Sequence, residues 1–525
     1  MVPNRQSGSP AAPTPLLAVA VAVALSAALP AASSAAAGTA CQTVANVDYE
    51  NGFVGKTWPA TTAQECCDLC AADPAECWAA TLYAGVCYAK PAGGEYLIPG
   101  GGGIAVVFPP GHTPPPLAGS YDYIDLAAAA PEAVCLDGSP YGFAFCAASG
   151  SDNTSWTISI EGASNTLRPP QRQHNPDPLA PRRPSTQGGW CYDLDDCAAR
   201  ANTSLGSSAT WPGAAAQMFC DPTSTTNDAL LFYCDGASFS GFVADPVPTP
   251  SAPGGQLFFR GIRNFDAAVA ALLQRGLTGA TSVVLTGGSA GGLSTLLHLD
   301  RLRARLAIEA PAARVVGKPV CGFFLEHGND GFAPANQTYA LQMQSVFEMQ
   351  NASGSLSREC QAALAPAPWR CIFAPTAALF VQTPFFLLQS RFDEWQLGYI
   401  LFLPCIQTQS WGPPYTPSTC SPREDAAIAA YGFDFMAQLQ PVIDASAAGS
   451  LNGGFVDACI IHGSTSSSID GRTNEEAFSA WLAWVDAGAG RPASAQRWWA
   501  MACGTGPNAT SAGPCDAGPN CAPFP

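Results

Sequence analysis

One serine in the chain lies in a pattern that predicts nucleophilic chemistry. Residues 287–291 (GGSAG) follow the apolar run 281–286 (TSVVLT), which predicts a buried strand, and precede GLSTLLHLDRLRARL, which predicts a helix. A tight strand-to-helix turn lifts a serine hydroxyl clear of the sheet edge and aims a helix N-terminus at developing negative charge. The pattern predicts that Ser289 is a nucleophile and that the N–H of Ala290 is an oxyanion donor. A glycine-rich turn without chemistry is the alternative.

A serine nucleophile needs a general base, and in hydrolases with this turn a histidine follows the serine along the chain. Three histidines follow Ser289, namely His298, His327 and His462. His298 lies inside the predicted helix and cannot turn back to the serine. His462 follows the apolar run 455–461 and opens a Gly/Ser loop, where a base has the freedom to reach across from a neighbouring strand. His462 is therefore the predicted base, and His327 is the rival.

The acid that orients the base belongs between the serine and the histidine. Asp393 follows the apolar run 383–388 (TPFFLL), which predicts a further strand, whereas Asp330 lies in the loop EHGNDG. Position after a strand favours Asp393. The predicted triad is Ser289, Asp393 and His462, with no metal and no cofactor.

The elements that must position these residues alternate between strands and helices. SWTISIEG from Ser155 predicts a strand, and residues 264–273 (NFDAAVAALL) have the apolar spacing of a helix. Alternation of this kind predicts an α/β fold with a mostly parallel sheet and helices on both faces.

Composition limits the class of protein. The chain has 525 residues, 47% hydrophobic and 12% charged, with a net charge of −17. A chain this apolar forms a large core, and its acidity argues against a nucleic-acid partner. Residues 16–30 (LLAVAVAVALSAALP) and the small residues after them predict a signal peptide over residues 1–38. The apolar run itself is too short to span a membrane. The 21 cysteines and five Asn-x-Ser/Thr sequons fit a secreted glycoprotein.

A cysteine-rich segment follows the signal peptide. Six cysteines predict a disulfide-stapled module over residues 41–108, with a helix capped by Thr62 and a strand TLYAGVCYAK; no histidine lies close enough to favour zinc. The pattern resembles a PAN/Apple-type module, which implies binding of protein or carbohydrate rather than catalysis. An unrelated disulfide knot is the alternative. A Pro/Gly linker (109–119), a large unit (120–502) and a Gly/Pro/Cys-rich tail (503–525) complete the predicted organisation.

The large unit carries a series of motifs in order: AVCLDGSP, GGWCYDLDDCAAR, YCDGASFSG, FFRGIRNFDA, GGSAGGLSTLLHLDRLR, FDEWQL and DACIIHG. Together they resemble the pectin acetylesterase family, which includes the animal carboxylesterase Notum. The resemblance implies an α/β-hydrolase-like fold and the same three triad residues. It further implies that Gly189 and Trp190 supply oxyanion donors that join Ala290.

Two departures from the family pattern stand out. Cys321 precedes GFF where the family has an acidic residue. The family also runs a strand directly into the oxyanion turn as EGGGWC, whereas here Glu161-Gly162 is separated from Gly188 by residues 163–187, which are Pro- and Arg-rich. This insertion is either a solvated surface loop or a stretch foreign to the protein from an imperfect gene model; a disordered loop without catalytic residues is expected.

The resemblance implies a secreted serine carboxylesterase that hydrolyses acyl esters, above all O-acetyl groups, on extracellular or cell-wall polysaccharide such as pectin. The PAN-like module would bind a matrix or carbohydrate ligand. A Notum-like lipid-ester deacylase is the alternative enzyme, and a binding or adhesion protein with a decayed hydrolase domain is the alternative without catalysis.

Overall fold

The computed structural model describes residues 41–45, 47–49, 56–74, 77–90, 97–99, 105–109, 119–150, 153–162, 189–216, 218–221, 223–407, 420–463, 468–492 and 494–501. The predicted signal peptide (1–38), insertion (163–187) and tail (503–525) lie outside these residues, as does most of the predicted linker. Within the described ranges, no helix combines the length and the apolar character that crossing a membrane requires.

The N-terminal part of the chain forms a small sheet over one helix. Five strands make an antiparallel sheet in the order β1-β7-β4-β5-β3, and β2 pairs with β6. The elements are β1 (Gln42–Ala45), β2 (Val47–Tyr49), β3 (Thr57–Pro59), α1 (Ala63–Ala71), β4 (Ala79–Tyr83), β5 (Val86–Lys90), β6 (Leu97–Pro99) and β7 (Ala105–Phe108).

Disulfides make up much of the core of this small unit. All six cysteines pair within it, as Cys41–Cys67, Cys66–Cys87 and Cys70–Cys77. Thr62 caps α1 as predicted, through a capping box with Glu65. The predicted single strand TLYAGVCYAK is wrong: it is the hairpin β4–β5, because Ala84 and Gly85 both take positive φ, 50° and 81°, and turn the chain.

The large unit follows with strands and helices in alternation, as predicted. Its elements are β8 (Gly119–Ser120), β9 (Asp122–Asp125), β10 (Gly142–Cys146), β11 (Ser155–Ile160), α2 (Leu194–Ala201), α3 (Trp211–Ala215), β12 (Phe219–Cys220), β13 (Thr226–Leu231), β14 (Val247–Pro248), β15 (Gln256–Leu257), α4 (Gly261–Gln274), β16 (Ser282–Gly288), α5 (Ala290–Glu309), β17 (Arg314–Val320), α6 (Tyr339–Met349), α7 (Arg358–Ala363), α8 (Ala374–Ala377), β18 (Phe386–Ser390), α9 (Glu394–Tyr399), α10 (Pro404–Gln407), α11 (Pro422–Ala447), β19 (Gly453–Asp457), β20 (Ser468–Ile469), β21 (Arg472–Thr473), α12 (Asn474–Asp486) and β22 (Trp498–Ala500).

A central sheet organises this unit. Nine strands of the described chain lie in the order β22-β19-β18-β17-β16-β11-β13-β10-β9. All neighbours from β22 to β13 are parallel, and β10 pairs antiparallel with β13 and β9. The predicted α/β class with a mostly parallel sheet is therefore confirmed.

Helices cover both faces of the sheet. Side chains alternate between faces along each strand, so Leu387 joins the core beneath α4 and α5 while Leu388 joins the core that contains Trp481 of α12. β18 and β19 are buried at every residue, as expected for parallel strands covered on both faces, whereas β11, β13 and β16 alternate buried and partly exposed residues.

Two strand boundaries differ from the prediction, one at the amino end of β18 and one at the carboxyl end of β19, which is the end on the side of the site. β18 begins at Phe386 rather than residue 383, because Pro384 has no N–H to contribute to the ladder. β19 ends at Asp457 rather than residue 461, because the Asp457 carboxylate accepts the N–H of Cys459 at 3.1 Å and turns the chain. His462 consequently lies on a loop that begins four residues earlier than expected.

Ionisable side chains are buried near the carboxyl edge of the sheet. Arg200 of α2 and Asp235, which follows β13, are both at most 2% exposed. Burial raises the pKa of Asp235 to about 7, although backbone N–H groups and Arg200 favour its charged form. Burial also raises the pKa of Glu161 to about 7, against the opposing effect of the Tyr233 N–H and Arg200. At a pH between the ordinary and the raised pKa of these two carboxyl groups, the folded chain therefore keeps protons that the unfolded chain releases.

This burial predicts how stability depends on pH. Between the ordinary pKa of an aspartate, 3.8, and about 7, folded Asp235 holds a proton that unfolded Asp235 has lost. The contribution of Asp235 to the free energy of unfolding is thus fully present below its ordinary pKa and is lost as pH rises through the folded pKa. We expect urea unfolding, followed by tryptophan fluorescence from pH 4 to 8, to show a shallower decline in Asp235→Asn than in the wild type. The exposed Asp245→Asn is the control, and equal slopes in both variants would contradict the prediction.

Candidate active site

Ser289 lies at the turn between β16 and α5. Its φ of 58° and ψ of −125° are unusual for a residue with a side chain, so its backbone is strained. Its N–H donates to the Val320 carbonyl at 3.0 Å and lies 3.1 Å from the sulfur of Cys321. The strained turn is thus held from β17, and Ser289 is 8% exposed.

The glycines around Ser289 are required by close backbone packing. A Cβ on Gly287 would lie 2.5 Å from the Gly291 carbonyl oxygen, and a Cβ on Gly291 would lie 2.2 Å from the Ile160 carbonyl oxygen. The turn therefore packs against the end of β11 with no room for side chains. Ala290 begins the twenty-residue helix α5, so its N–H is one of those that a helix leaves without an internal acceptor.

Asp393 is fully buried three residues after the end of β18, as the N-cap of α9. Its Oδ1 accepts the Gln396 N–H at 3.0 Å, and its Oδ2 accepts from the Gln389 side-chain amide, also at 3.0 Å. His462 Nδ1 lies 3.0 Å and 2.9 Å from the two carboxylate oxygens. A buried carboxylate held by this many donors is fixed in position.

His462 follows β19, and its side chain is 10% exposed. Its ring lies beside two aromatic rings, with centroids 6.1 Å from that of Phe324 and 6.3 Å from that of Trp395. With Nδ1 donating to Asp393, the imidazole has the tautomer in which Nε2 can accept a proton.

Sheet topology brings the three predicted residues to one edge. β16, β18 and β19 are parallel, and Ser289, Asp393 and His462 each follow the carboxyl end of one of them. Cys321 lies beside the serine, with its sulfur 3.1 Å from the Ser289 nitrogen. Burial raises the pKa of this thiol, and the charge of Asp393 adds to the rise.

The rival residues lie in other surroundings. His327 Nε2 lies 3.1 Å from an Asp434 oxygen, and its Nδ1 lies 2.8 Å from the Gly328 carbonyl. Asp330 is exposed in a loop, where its carbonyl accepts from Arg423. His298 is buried in α5, as expected from its place in the sequence.

Gly189 and Trp190 lie against the N-terminus of α5. A Cβ on Gly189 would come within 3.6 Å of the Ala290 Cβ. The Tyr233 hydroxyl donates to the Gly189 carbonyl at 2.6 Å, and the Cys191–Cys197 disulfide follows directly. In the part of the chain that the structure describes, no group accepts a hydrogen bond from the N–H of Trp190 or Ala290. Both N–H groups are thus available to an oxyanion.

Both flanks of the insertion lie at this turn. A Cβ on Gly162 would lie 2.6 Å from the Gly288 carbonyl oxygen and 3.0 Å from the Ser289 Cβ. Gly189 adjoins Ala290, the next residue along. Gly162 and Gly189, the described residues on either side of 163–188, therefore lie at neighbouring points, and the oxyanion turn is held by side-chain contacts from other segments.

Cys321 has a defined place under the serine turn. Among the described residues it is the one cysteine that forms no disulfide. Its N–H donates to the Leu388 carbonyl at 2.8 Å, and its φ is 41°. The departure from the family's acidic residue therefore places a neutral thiol, rather than a charge, between the serine turn and β18.

Aromatic side chains fill the space beside the oxyanion turn. Trp190, Phe324, Tyr339 and Trp395 are at most 4% exposed. The Trp190 ring centroid lies 4.9 Å from that of Phe324 and 5.6 Å from those of Tyr339 and Trp395. Rings with almost no accessible area have no water-sized space against them, so this side of the site is packed with protein.

Several supporting residues carry no role in the sequence analysis. Gln389 holds Asp393, while Tyr233 and Ser238 hold the oxyanion turn. Gln389 directly follows the apolar run 383–388, and a polar residue in the same strand is the signal that could have identified it. Tyr233 and Ser238 lie in the motif YCDGASFSG, but their contacts depend on backbone geometry that spacing does not reveal.

Comparison with known proteins places the chain in a family. The family model for pectinacetylesterase matches residues 186–483. Pectin acetylesterase 5 of Arabidopsis thaliana is 33% identical over 280 residues, which are 51% of this chain and 56% of that protein. The match thus spans little more than half of that relative's length. Pectin acetylesterase 11 of the same plant is 29% identical over 348 residues, 64% of this chain and 78% of that protein.

Animal carboxylesterases are also similar to this chain. The human palmitoleoyl-protein carboxylesterase Notum is 27% identical over 226 residues, 40% of this chain and 44% of that protein. The solved structure of the Wnt deacylase Notum from Drosophila aligns with a TM-score of 0.54 and 23% identity, over 70% of this chain and 94% of that one, so the two share a fold. The family model covers more than half of the chain, and the chain therefore belongs to the pectinacetylesterase family.

Proposed function

We propose that this protein is a secreted serine carboxylesterase that removes short acyl groups, above all O-acetyl groups, from extracellular polysaccharide such as pectin. Ser289 is the nucleophile, His462 the base and Asp393 the residue that orients the base. The observation that carries the proposal is the contact of 2.9 Å between His462 Nδ1 and a fully buried Asp393, at the sheet edge that also bears Ser289.

The chemistry follows from these positions. His462 Nε2 takes the proton of the Ser289 hydroxyl as Oγ attacks the acyl carbonyl carbon, and the carbonyl oxygen becomes an oxyanion. Collapse of the tetrahedral intermediate expels the sugar oxygen, which leaves as a hydroxyl with the proton from His462. Water then loses a proton to His462 and attacks the acyl-enzyme carbonyl carbon. The second tetrahedral intermediate breaks its bond to Ser289 Oγ, which takes that proton back from His462 as the acid is released.

Stabilisation of the oxyanion rests on groups that are fixed before the reaction. The N–H groups of Trp190 and Ala290 would donate to it, with Gly189 completing the turn, and α5 adds the positive end of its dipole. Asp393 stabilises the imidazolium that forms when His462 takes the proton. Its own position depends on Gln389 and the Gln396 N–H.

The packed aromatic side of the site supports a short acyl group. Trp190, Phe324, Tyr339 and Trp395 occupy space that a long acyl chain beside the oxyanion turn would need. An acetyl group adds one methyl beyond the carbonyl and requires no cavity of this kind. The Notum relatives are named for a palmitoleoyl ester, so acyl-chain length separates the two enzyme functions.

Export and tethering form the rest of the proposal. Eight disulfides in the described residues fit an oxidising compartment. We place the PAN-like module at residues 41–108 and the hydrolase domain at 120–502. The module's core of paired cysteines is separate from that of the hydrolase domain, and the module contributes no residue to the proposed triad.

The catalytic assignment predicts a specific pattern of loss. Ser289→Ala removes the nucleophile while the fold survives, so turnover of 4-nitrophenyl acetate should fall by about a million-fold and labelling by a fluorophosphonate should disappear. His462→Ala should also abolish turnover. His327→Ala is the matched control and should keep both the turnover of 4-nitrophenyl acetate and the labelling by the fluorophosphonate.

Substantial activity or labelling in Ser289→Ala would contradict the assignment, and loss in His327→Ala with retention in His462→Ala would move the base to His327. A wild-type protein that takes no label would favour the binding protein with a decayed site.

Acyl selectivity is predicted to lie with the aromatic rings. We expect kcat/KM for 4-nitrophenyl acetate to exceed that for the octanoate by at least about 100-fold. The packed rings leave no space for the longer acyl chain, and this steric cost outweighs the hydrophobic gain from its extra methylenes. Phe324→Leu should raise the octanoate-to-acetate ratio because it opens space beside His462. Acetate release from acetylated pectin tests the natural substrate class. A preference for octanoate in the wild type would instead favour the lipid-ester deacylase.

Tethering predicts a separation between catalysis and retention. A chain that begins at Ala118 should hydrolyse 4-nitrophenyl acetate as the full chain does, because the module supplies no catalytic group. It should be washed more easily from immobilised acetylated pectin, measured as the fraction retained on a column. Equal retention with and without residues 41–108 would remove the tethering role from the module.

A further inference from the structure

Ser238 is a buried residue with an unusual backbone and a side chain between two parts of the site. Its φ is 53° and that of Phe239 is 60°, so two successive residues with side chains take left-handed conformations. A left-handed conformation is unfavourable for a residue with a side chain and persists only where the surrounding structure determines it. Ser238 has no exposed area.

The hydroxyl of Ser238 joins the two segments that would bind the oxyanion. Its Oγ accepts from the indole Nε1 of Trp190 at 2.8 Å and donates to the carbonyl of Ala290 at 2.8 Å. Trp190 and Ala290 are the residues whose N–H groups are proposed to bind the oxyanion. One hydroxyl therefore connects a turn beyond the insertion with the first residue of α5.

The backbone of Ser238 is held from two further directions. Its N–H donates to the Tyr233 hydroxyl at 3.1 Å, and that hydroxyl donates to the Gly189 carbonyl at 2.6 Å. Its carbonyl accepts from His298 Nε2 at 2.9 Å. The segment is thus tied to the oxyanion turn at one end and to the middle of α5 at the other.

His298 suits this role because it remains neutral. Burial lowers its pKa to about 4, so the ring carries one proton at ordinary pH. No group in the described chain pairs with its Nδ1, which assigns the proton to Nε2, the atom that faces the Ser238 carbonyl. A buried histidine inside the nucleophile's helix thereby has a structural function.

We propose that Ser238 is the positioning residue of the oxyanion hole: its hydroxyl sets the distance between the Trp190 N–H and the Ala290 N–H. Because the insertion interrupts the connection from β11, side-chain contacts such as this one fix the turn. The inference rests on the proposed function, since it gives Ser238 a role only in an esterase that uses this site.

The test compares two buried serines of one segment. Ser238→Ala removes the bridge, whereas Ser240→Ala removes a buried hydroxyl that donates to the Ala237 carbonyl at 2.6 Å and contacts neither oxyanion segment. We expect Ser238→Ala to lower kcat/KM for 4-nitrophenyl acetate between about 10-fold and 100-fold and Ser240→Ala to lower it less than about 3-fold.

An alkyl trifluoromethyl ketone, which forms a tetrahedral oxyanion on the serine, gives a readout that a merely structural role would not change. Its inhibition constant should rise in Ser238→Ala by the same factor by which kcat/KM falls, because both report oxyanion binding. Equal losses in the two serine variants, or a loss of kcat/KM with unchanged ketone affinity, would overturn the proposal.

Trp190→Phe tests the same hydrogen bond from its other side and applies even if Ser238→Ala does not fold. It should lower kcat/KM by a similar factor, and the double variant should lose little more than either single variant, because each variant breaks the bridge that runs from Trp190 through Ser238 to Ala290. Wild-type kinetics in Trp190→Phe would overturn the role of the bridge. The proposed function fails separately, if Ser289→Ala retains activity.

Discussion

A charged carboxylate with no access to water is the constraint around which this site is built. Asp393 is fully buried, and an ionised carboxylate in such a place is tolerated only when donors surround it. The donors come from β18, from the first turn of α9 and from the loop after β19. Holding one charge therefore fixes the relative positions of three segments that are distant in sequence.

The same requirement extends into the neighbouring core. Gln389 can aim its amide N–H at Asp393 because its oxygen accepts the Phe323 N–H at 3.0 Å. Gln396 holds the next residues, since its side-chain oxygen accepts the Leu325 N–H at 3.0 Å and the Tyr431 hydroxyl at 2.6 Å. These connected hydrogen bonds explain why Gln389 and Gln396 occupy buried positions, where apolar side chains are usually found.

Local patterns predicted the fold and the three catalytic candidates because each has a local physical cause. A strand, a glycine-flanked turn and a helix at residues 281–305 are visible in the sequence, and parallel strands place their carboxyl ends at one edge. The ends of β18 and β19 were predicted less well, because Pro384 and the Asp457 side chain change the ladder by single hydrogen bonds. The left-handed pair at Ser238 and Phe239, and the rings packed around Trp190, could not be predicted, since both arise from contacts across the fold.

Two disulfides cross the interruption between Gly162 and Gly189. Cys135 and Cys146 precede it, their partners Cys234 and Cys220 follow it, and both bonds lie within the large unit. A protease that cuts anywhere in residues 163–188 would therefore leave one covalent molecule made of two polypeptides. Such a two-chain form would migrate as a single species until it is reduced, so intact size on a non-reducing gel says nothing about whether the polypeptide is continuous.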